Sequence, residues 1–155
     1  MSSKLFFKLP DAEREAFLAA FFRAGGLERW PVRPEELLDQ WSRTIEKCRG
    51  RYLLGLDDYR HDLTRREILQ DVLDAAGNGE LVVTCRLLSE LDDQFRAVTI
   101  ALPKPVFPEP WIEREPEKYF FYFRVPHAPD SFLIEGLINM KLIRSEEDFQ
   151  LLTSG

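Results

Sequence analysis

The 155-residue chain is poor in the residues from which most chemical sites are built, with two cysteines, two histidines and eight glycines. Cys48 and Cys85 alone make no disulfide framework, and two free thiols in a chain of this size fit a reducing compartment. His61 and His127 lie far apart, so no paired-histidine zinc spacing exists. Gly25-Gly26 and Gly77-Asn78-Gly79 follow helical segments instead of leading into them, which excludes a glycine-rich phosphate loop. A Gly-x-Ser-x-Gly elbow is absent as well. So are long apolar runs: Ala16–Phe22 falls far short of the ~20 residues that span a bilayer. Met1–Pro10 carries no signal-type apolar core, and neither end shows a lipidation pattern. A soluble cytoplasmic protein without a cofactor is the expectation.

What the chain does have is a globular composition, with 45% apolar, 12% aromatic and 31% charged residues. A domain of this length buries roughly two-thirds of its unfolded surface and needs no staple. One domain over residues 1–155 is expected. The net charge of −6 argues against a surface that grips nucleic acid or anionic membrane throughout.

Four segments read as helices. Asp11 precedes an acidic first turn and Gly25-Gly26 closes the first; Phe17, Leu18, Phe21 and Phe22 give it a wide apolar stripe. Pro34-Glu35-Glu36 opens the second, whose apolar face holds Leu37, Leu38, Trp41, Ile45 and Cys48. Thr64 and Glu67 form a capping box for the third, which Gly77 ends. Asp130 starts the last, apolar nearly all round to Leu142 and so expected to be buried. Leu81–Leu88 and Phe95–Leu102 read as a hairpin joined by Ser89–Asp93, with Tyr119–Val125 as a central third strand. Leu5–Leu9, Tyr52–Leu56 and Phe149–Leu152 are candidate edge strands. The expected fold is α+β, a helical N-terminal half packed on a mainly antiparallel sheet of three to five strands, with a buried C-terminal helix.

Three constellations compete for function. Asp57, Asp58, His61 and Asp62 could serve a small metal-dependent hydrolase or nuclease, although their spacing matches no metal motif and a solvated turn ahead of the Thr64 cap is the preferred account. Either cysteine could be a nucleophile, but no local signature supports it. Between Arg43 and Arg66, seven cations face four carboxylates, which suggests a nucleic-acid patch; only Tyr52 and Tyr59 are there to stack on bases. No catalytic set is assembled, which leans the reading away from an enzyme.

The last constellation is acidic. Residues 1–77 carry a net of −1, whereas residues 78–155 carry −5. Asp92 and Asp93 fall in the expected hairpin loop, and Glu109, Glu113, Glu115 and Glu117 in a proline-rich loop from Pro103 to Lys118. The last three alternate, which in an extended segment places them on one side. Phe107 and Trp111 in the same stiff loop offer aromatic anchors, or else fold it back on the core. The expected function is protein binding through these residues, of the kind an inhibitor or immunity protein uses to neutralise a basic enzyme by occlusion. Tyr119–Val125 or the last helix could alternatively form a homodimer seam.

Overall fold

The computed structural model describes residues 4–154. The chain is mostly helical, 66% of it, with a single two-stranded antiparallel sheet among the described residues. This overturns the expected sheet of three to five strands. Helices α1 (Asp11–Arg23), α2 (Gly26–Arg29), α3 (Leu37–Arg49), α4 (Leu56–Ala75) and α5 (Val82–Ala97) are followed by strand β1 (Thr99–Ala101), then α6 (Pro110–Arg114) and strand β2 (Arg124–Pro126). Helices α7 (Ser131–Asn139) and α8 (Glu146–Ser154) close the order. No helix among the described residues is long and apolar enough to cross a membrane.

The chain divides into two compact units, residues 1–43 with 64–93, and residues 44–63 with 94–155. In the first unit, Phe6, Phe17, Phe21, Leu37, Leu38, Trp41, Leu69, Val72 and Leu88 are buried. Phe6 meets Phe17 edge-on at 5.6 Å, a geometry that suits the quadrupoles of the rings. The wide stripe of α1 is narrower than expected, since Phe17 and Phe21 are buried while Phe22 is exposed.

The first correction within this unit is α5, read from sequence as part of a hairpin. Its buried positions, Thr84, Leu88, Leu91 and Phe95, recur at helical spacing. No capping residue precedes Val82 in sequence; the cap comes from a distant helix. The Glu13 carboxylate of α1 accepts the backbone N–H groups of Val83 at 3.1 Å and Thr84 at 2.5 Å, and the Thr84 hydroxyl at 2.5 Å. Those are orphan donors of a helix N-terminus. The piece expected as an edge strand at Leu5–Leu9 is instead a 3-10 turn over Leu5–Lys8.

In the second unit, Ile45, Cys48, Tyr52, Tyr59, Leu63, Phe95, Phe121, Tyr122, Leu133 and Leu137 are buried. β1 and β2 pair in the register Thr99↔Pro126, Ile100↔Val125, Ala101↔Arg124. The expected strand Tyr119–Val125 becomes a 3-10 turn over Phe120–Phe123 before β2 begins. The turn places the adjacent Phe121 and Tyr122 both in the core, which a two-residue alternation could not do on one face. Tyr52 makes only an isolated bridge to Pro129, and Phe149–Leu152 lies in α8.

The last long helix also differs from expectation. α7 ends at Asn139 and buries one face, Leu133, Ile134 and Leu137, while Phe132 is 65% exposed. Gly136 lets it approach closely, because a Cβ there would stand 2.7 Å from that of Leu56.

Candidate functional site

The proline-rich loop folds onto a bed of aromatic rings in the second unit. Pro110 occupies the first turn of α6, and the backbone N–H groups of Ile112 and Glu113 donate to the Glu109 carbonyl at 3.0 and 3.1 Å. Ile112 is fully buried and pins the helix. Trp111 is half-buried and meets Tyr119 edge-on at 5.0 Å and Tyr122 at 6.5 Å. Phe107, also half-buried, stacks on Tyr122 at 5.8 Å. The two aromatics thus brace the loop with one side and present the rest of their surface to solvent.

Arg60 of α4 supplies a brace that sequence reading missed. Its Nε donates to the Val106 carbonyl at 2.6 Å, and its guanidinium lies 5.8 Å from the Phe107 ring centre. Its Nη2 is buried without a hydrogen-bond partner among the described residues. Arg60 and Val106 are 46 positions apart, so no local pattern announces the pair.

Around this base stand the acidic side chains. Glu113, Glu115 and Glu117 are all exposed, and Glu109 is half-buried. Their expected alternation along an extended segment does not hold: Glu113 lies in α6, Glu115 caps its C-terminus, and Glu117 follows in a turn. Pro110 at the first helical position and the buried Ile112 favour helix over strand here. Among the described residues none of the four carboxylates enters an ion pair.

Asp92 and Asp93 lie not in a hairpin loop but in α5 of the first unit. Asp93 is exposed. Asp92 is buried against Arg66, with Nε to Oδ1 at 2.9 Å and Nη2 to Oδ2 at 2.8 Å, and Oδ1 also accepts Trp41 Nε1–H at 3.1 Å. It is a core residue and cannot meet a partner.

The Asp57–Asp62 cluster is helical, not a turn. The α4 helix starts at Leu56, eight residues before the expected Thr64 cap, because Leu56, Tyr59 and Leu63 continue its buried face. Asp57, Asp58 and His61 are exposed, while Asp62 accepts Lys47 Nζ at 3.2 Å and the Tyr52 hydroxyl at 3.1 Å. No group of three or more His, Cys, Asp or Glu side chains among the described residues could hold a metal ion. The four residues therefore do not converge as ligands.

The basic stretch is largely neutralised in the same way. In the second unit Lys47 pairs with Asp62, Arg49 with Glu46, Arg51 with Asp130 at 2.5 Å, and Arg60 with Asp57 at 3.8 Å. In the first, Arg66 is consumed by Asp92, while Arg43 is exposed.

Cys48 is buried in α3, where burial, with Asp62 adding to it, pushes its thiol up to about 12. It stays a neutral, inert core group. Cys85, expected mid-strand, is exposed on α5, and its thiol is raised by burial of its base and by Glu13. Neither is activated. His127 is exposed, with Nε2 3.2 Å from the Arg49 carbonyl.

No protein-family model, curated protein or solved structure matches the chain.

Proposed function

We propose that the protein is a small protein-binding domain that meets a basic partner through the acidic face of the Phe107–Tyr119 segment. The observation that carries this reading is the set of four carboxylates, Glu109, Glu113, Glu115 and Glu117, none of them in an ion pair among the described residues, on a loop braced by Trp111 and Phe107. Unpaired like charges repel one another and are retained at some expense in stability. A basic partner relieves that repulsion and is steered in by it. The bracing lowers the entropy lost on docking. Action by occlusion, as in an inhibitor or immunity protein, suits a domain whose described residues hold no metal-binding cluster and whose two cysteine thiols are both raised. A cytoplasmic setting belongs to the same proposal and rests on two free thiols.

The test places a photo-crosslinking residue at Glu115 in the full chain, expressed in its native cell. The expected adduct is a protein with a basic surface, and changing Glu113→Lys with Glu117→Lys abolishes it. No adduct, or one indifferent to that charge reversal, refutes the proposal.

A further inference from the structure

Within the second unit the C-terminal segment builds a groove of opposite character. Its volume is about 490 Å³, and Lys104, Lys141, Arg144, Leu151 and Leu152 line it together with Leu142 and Ile143. Leu151 is 70% and Leu152 42% exposed, so the apolar wall is open to solvent. The single carboxylate lining it, Asp148, is engaged with backbone: its Oδ2 accepts the Arg144 N–H at 3.2 Å. The Asp148 N–H donates in turn to Ser145 Oγ at 3.3 Å, so the pair caps α8. Lys104, Lys141 and Arg144 make no side-chain hydrogen bond or ion pair among the described residues. Three cations to one carboxylate thus gather beside leucines in a chain whose carboxylates outnumber its cations 27 to 21.

Lys141 adds an independent sign. It follows the C-terminus of α7 at φ 60°, and among the described residues it is the sole non-glycine with positive φ. The hydrogen bonds from Leu142 N–H to the Leu137 carbonyl and from Lys141 N–H to the Ile138 carbonyl, both 2.9 Å, require that left-handed residue. Glycine fills such a position without strain, whereas lysine does not. A lysine kept at a position that glycine fills more easily, with its side chain lining the groove, fits a site that uses the side chain.

We infer that this groove binds an acidic amphipathic peptide segment of a second protein partner, its carboxylates meeting Lys104, Lys141 and Arg144 and its apolar side chains covering Leu151 and Leu152. Charge complementarity selects the occupant. Nucleic acid is disfavoured, since no aromatic ring lines the groove for base stacking and leucines offer phosphates nothing.

The test is selection of a phage-displayed random peptide library on the full chain, followed by titration of the enriched synthetic peptide. The expected sequences combine Asp or Glu with Leu or Phe at helical spacing. Lys104→Glu with Arg144→Glu weakens the peptide by at least about tenfold, and Leu151→Ser with Leu152→Ser weakens it comparably. The discriminating variant is Lys141→Gly. It relieves the backbone and holds or raises the melting temperature, yet it weakens the peptide by about two- to fivefold, the worth of one exposed ion pair. Absence of enriched peptides, or enrichment indifferent to these substitutions, overturns the inference. So does binding confined to phosphatidylglycerol vesicles. The crosslink at Glu115 is unaffected by Lys104→Glu with Arg144→Glu, so the two surfaces succeed or fail separately.

Discussion

Arg66 and Asp92 form a fork-to-fork ion pair inside the first unit, with side chains only 6% and 9% exposed. The Trp41 indole completes the set by donating to the same carboxylate. Removing one member of such a pair leaves the other charged, buried and unsatisfied. Asp92→Ala is expected to cost about 3–5 kcal/mol in urea denaturation. Replacing both, Asp92→Leu with Arg66→Met, recovers most of that loss because no charge is stranded. A single variant close to wild type in stability would show that the pair is not closed to water.

Glu13 anchors the start of α5 from α1, accepting two backbone N–H groups and the Thr84 hydroxyl. Glu13→Ala strips the cap and is expected to cost about 1–2 kcal/mol. Hydrogen exchange at Val83 and Thr84 should accelerate more than exchange elsewhere in α5. Uniform acceleration along the helix would place the effect in global stability instead.

These two carboxylates also mark the limit of what the chain reveals on its own. The α1 and α3 helices are legible because their signals are local: an acidic first turn after Pro10, Pro34-Glu35-Glu36 with a repeating apolar face, and glycines beyond each end. The α5 helix is not, because its cap stands some seventy positions away at Glu13 and its β-branched start, Val82-Val83, favours a strand locally. Thr64 with Glu67 looks like a helix start, yet burial of Leu56, Tyr59 and Leu63 carries α4 two turns further back. The acid of the proline loop is readable as exposed charge, since no partner is needed to keep it outside. Asp92 is not, because its burial depends on Arg66 in another segment. Nor is the cationic groove, which Lys104 joins only through the fold.

Gly136 sets two opposing effects against each other. Gly136→Ala gains about 1 kcal/mol of helix propensity in α7. The new methyl would meet the Leu56 Cβ at 2.7 Å, and a Cβ cannot swing aside. Overpacking of this kind costs about 1–3 kcal/mol, so the variant is expected to be less stable despite better propensity. Gly136→Ala with Leu56→Ala, which trims the Leu56 side chain but keeps its Cβ, should not restore it. Thermal unfolding of the single and double variants decides this.

The two thiols should separate cleanly in reactivity. Cys85 is exposed and Cys48 buried, with its thiol pushed up to about 12. A thiol reagent is expected to modify one cysteine per chain under native conditions and the second only in denaturant. Mass spectrometry should place the native label on Cys85. Rapid native labelling of Cys48 would show that α3 opens locally.

Alkaline stability follows from three neutral groups buried in the second unit. Burial raises Cys48 from 9.0 to about 12, and it raises Tyr52 and Tyr59 well above 10.0. Asp62, which accepts the Tyr52 hydroxyl, pushes Tyr52 further in the same direction. In each case the folded chain holds its proton more tightly than the unfolded chain does. The unfolded state therefore binds fewer protons once pH passes its own values near 9 to 10, and stability falls as pH rises. Below that window the stabilisation from all three is complete, so the melting temperature should be insensitive to these groups at neutral pH and decline steadily above it. Tyr52→Phe removes the hydroxyl and one of the three linkages, so it is expected to flatten the decline. The check is a melting-temperature series from neutral to strongly alkaline pH for wild type and variant. Parallel curves would mean that Tyr52 ionises as easily in the folded chain as in the unfolded one.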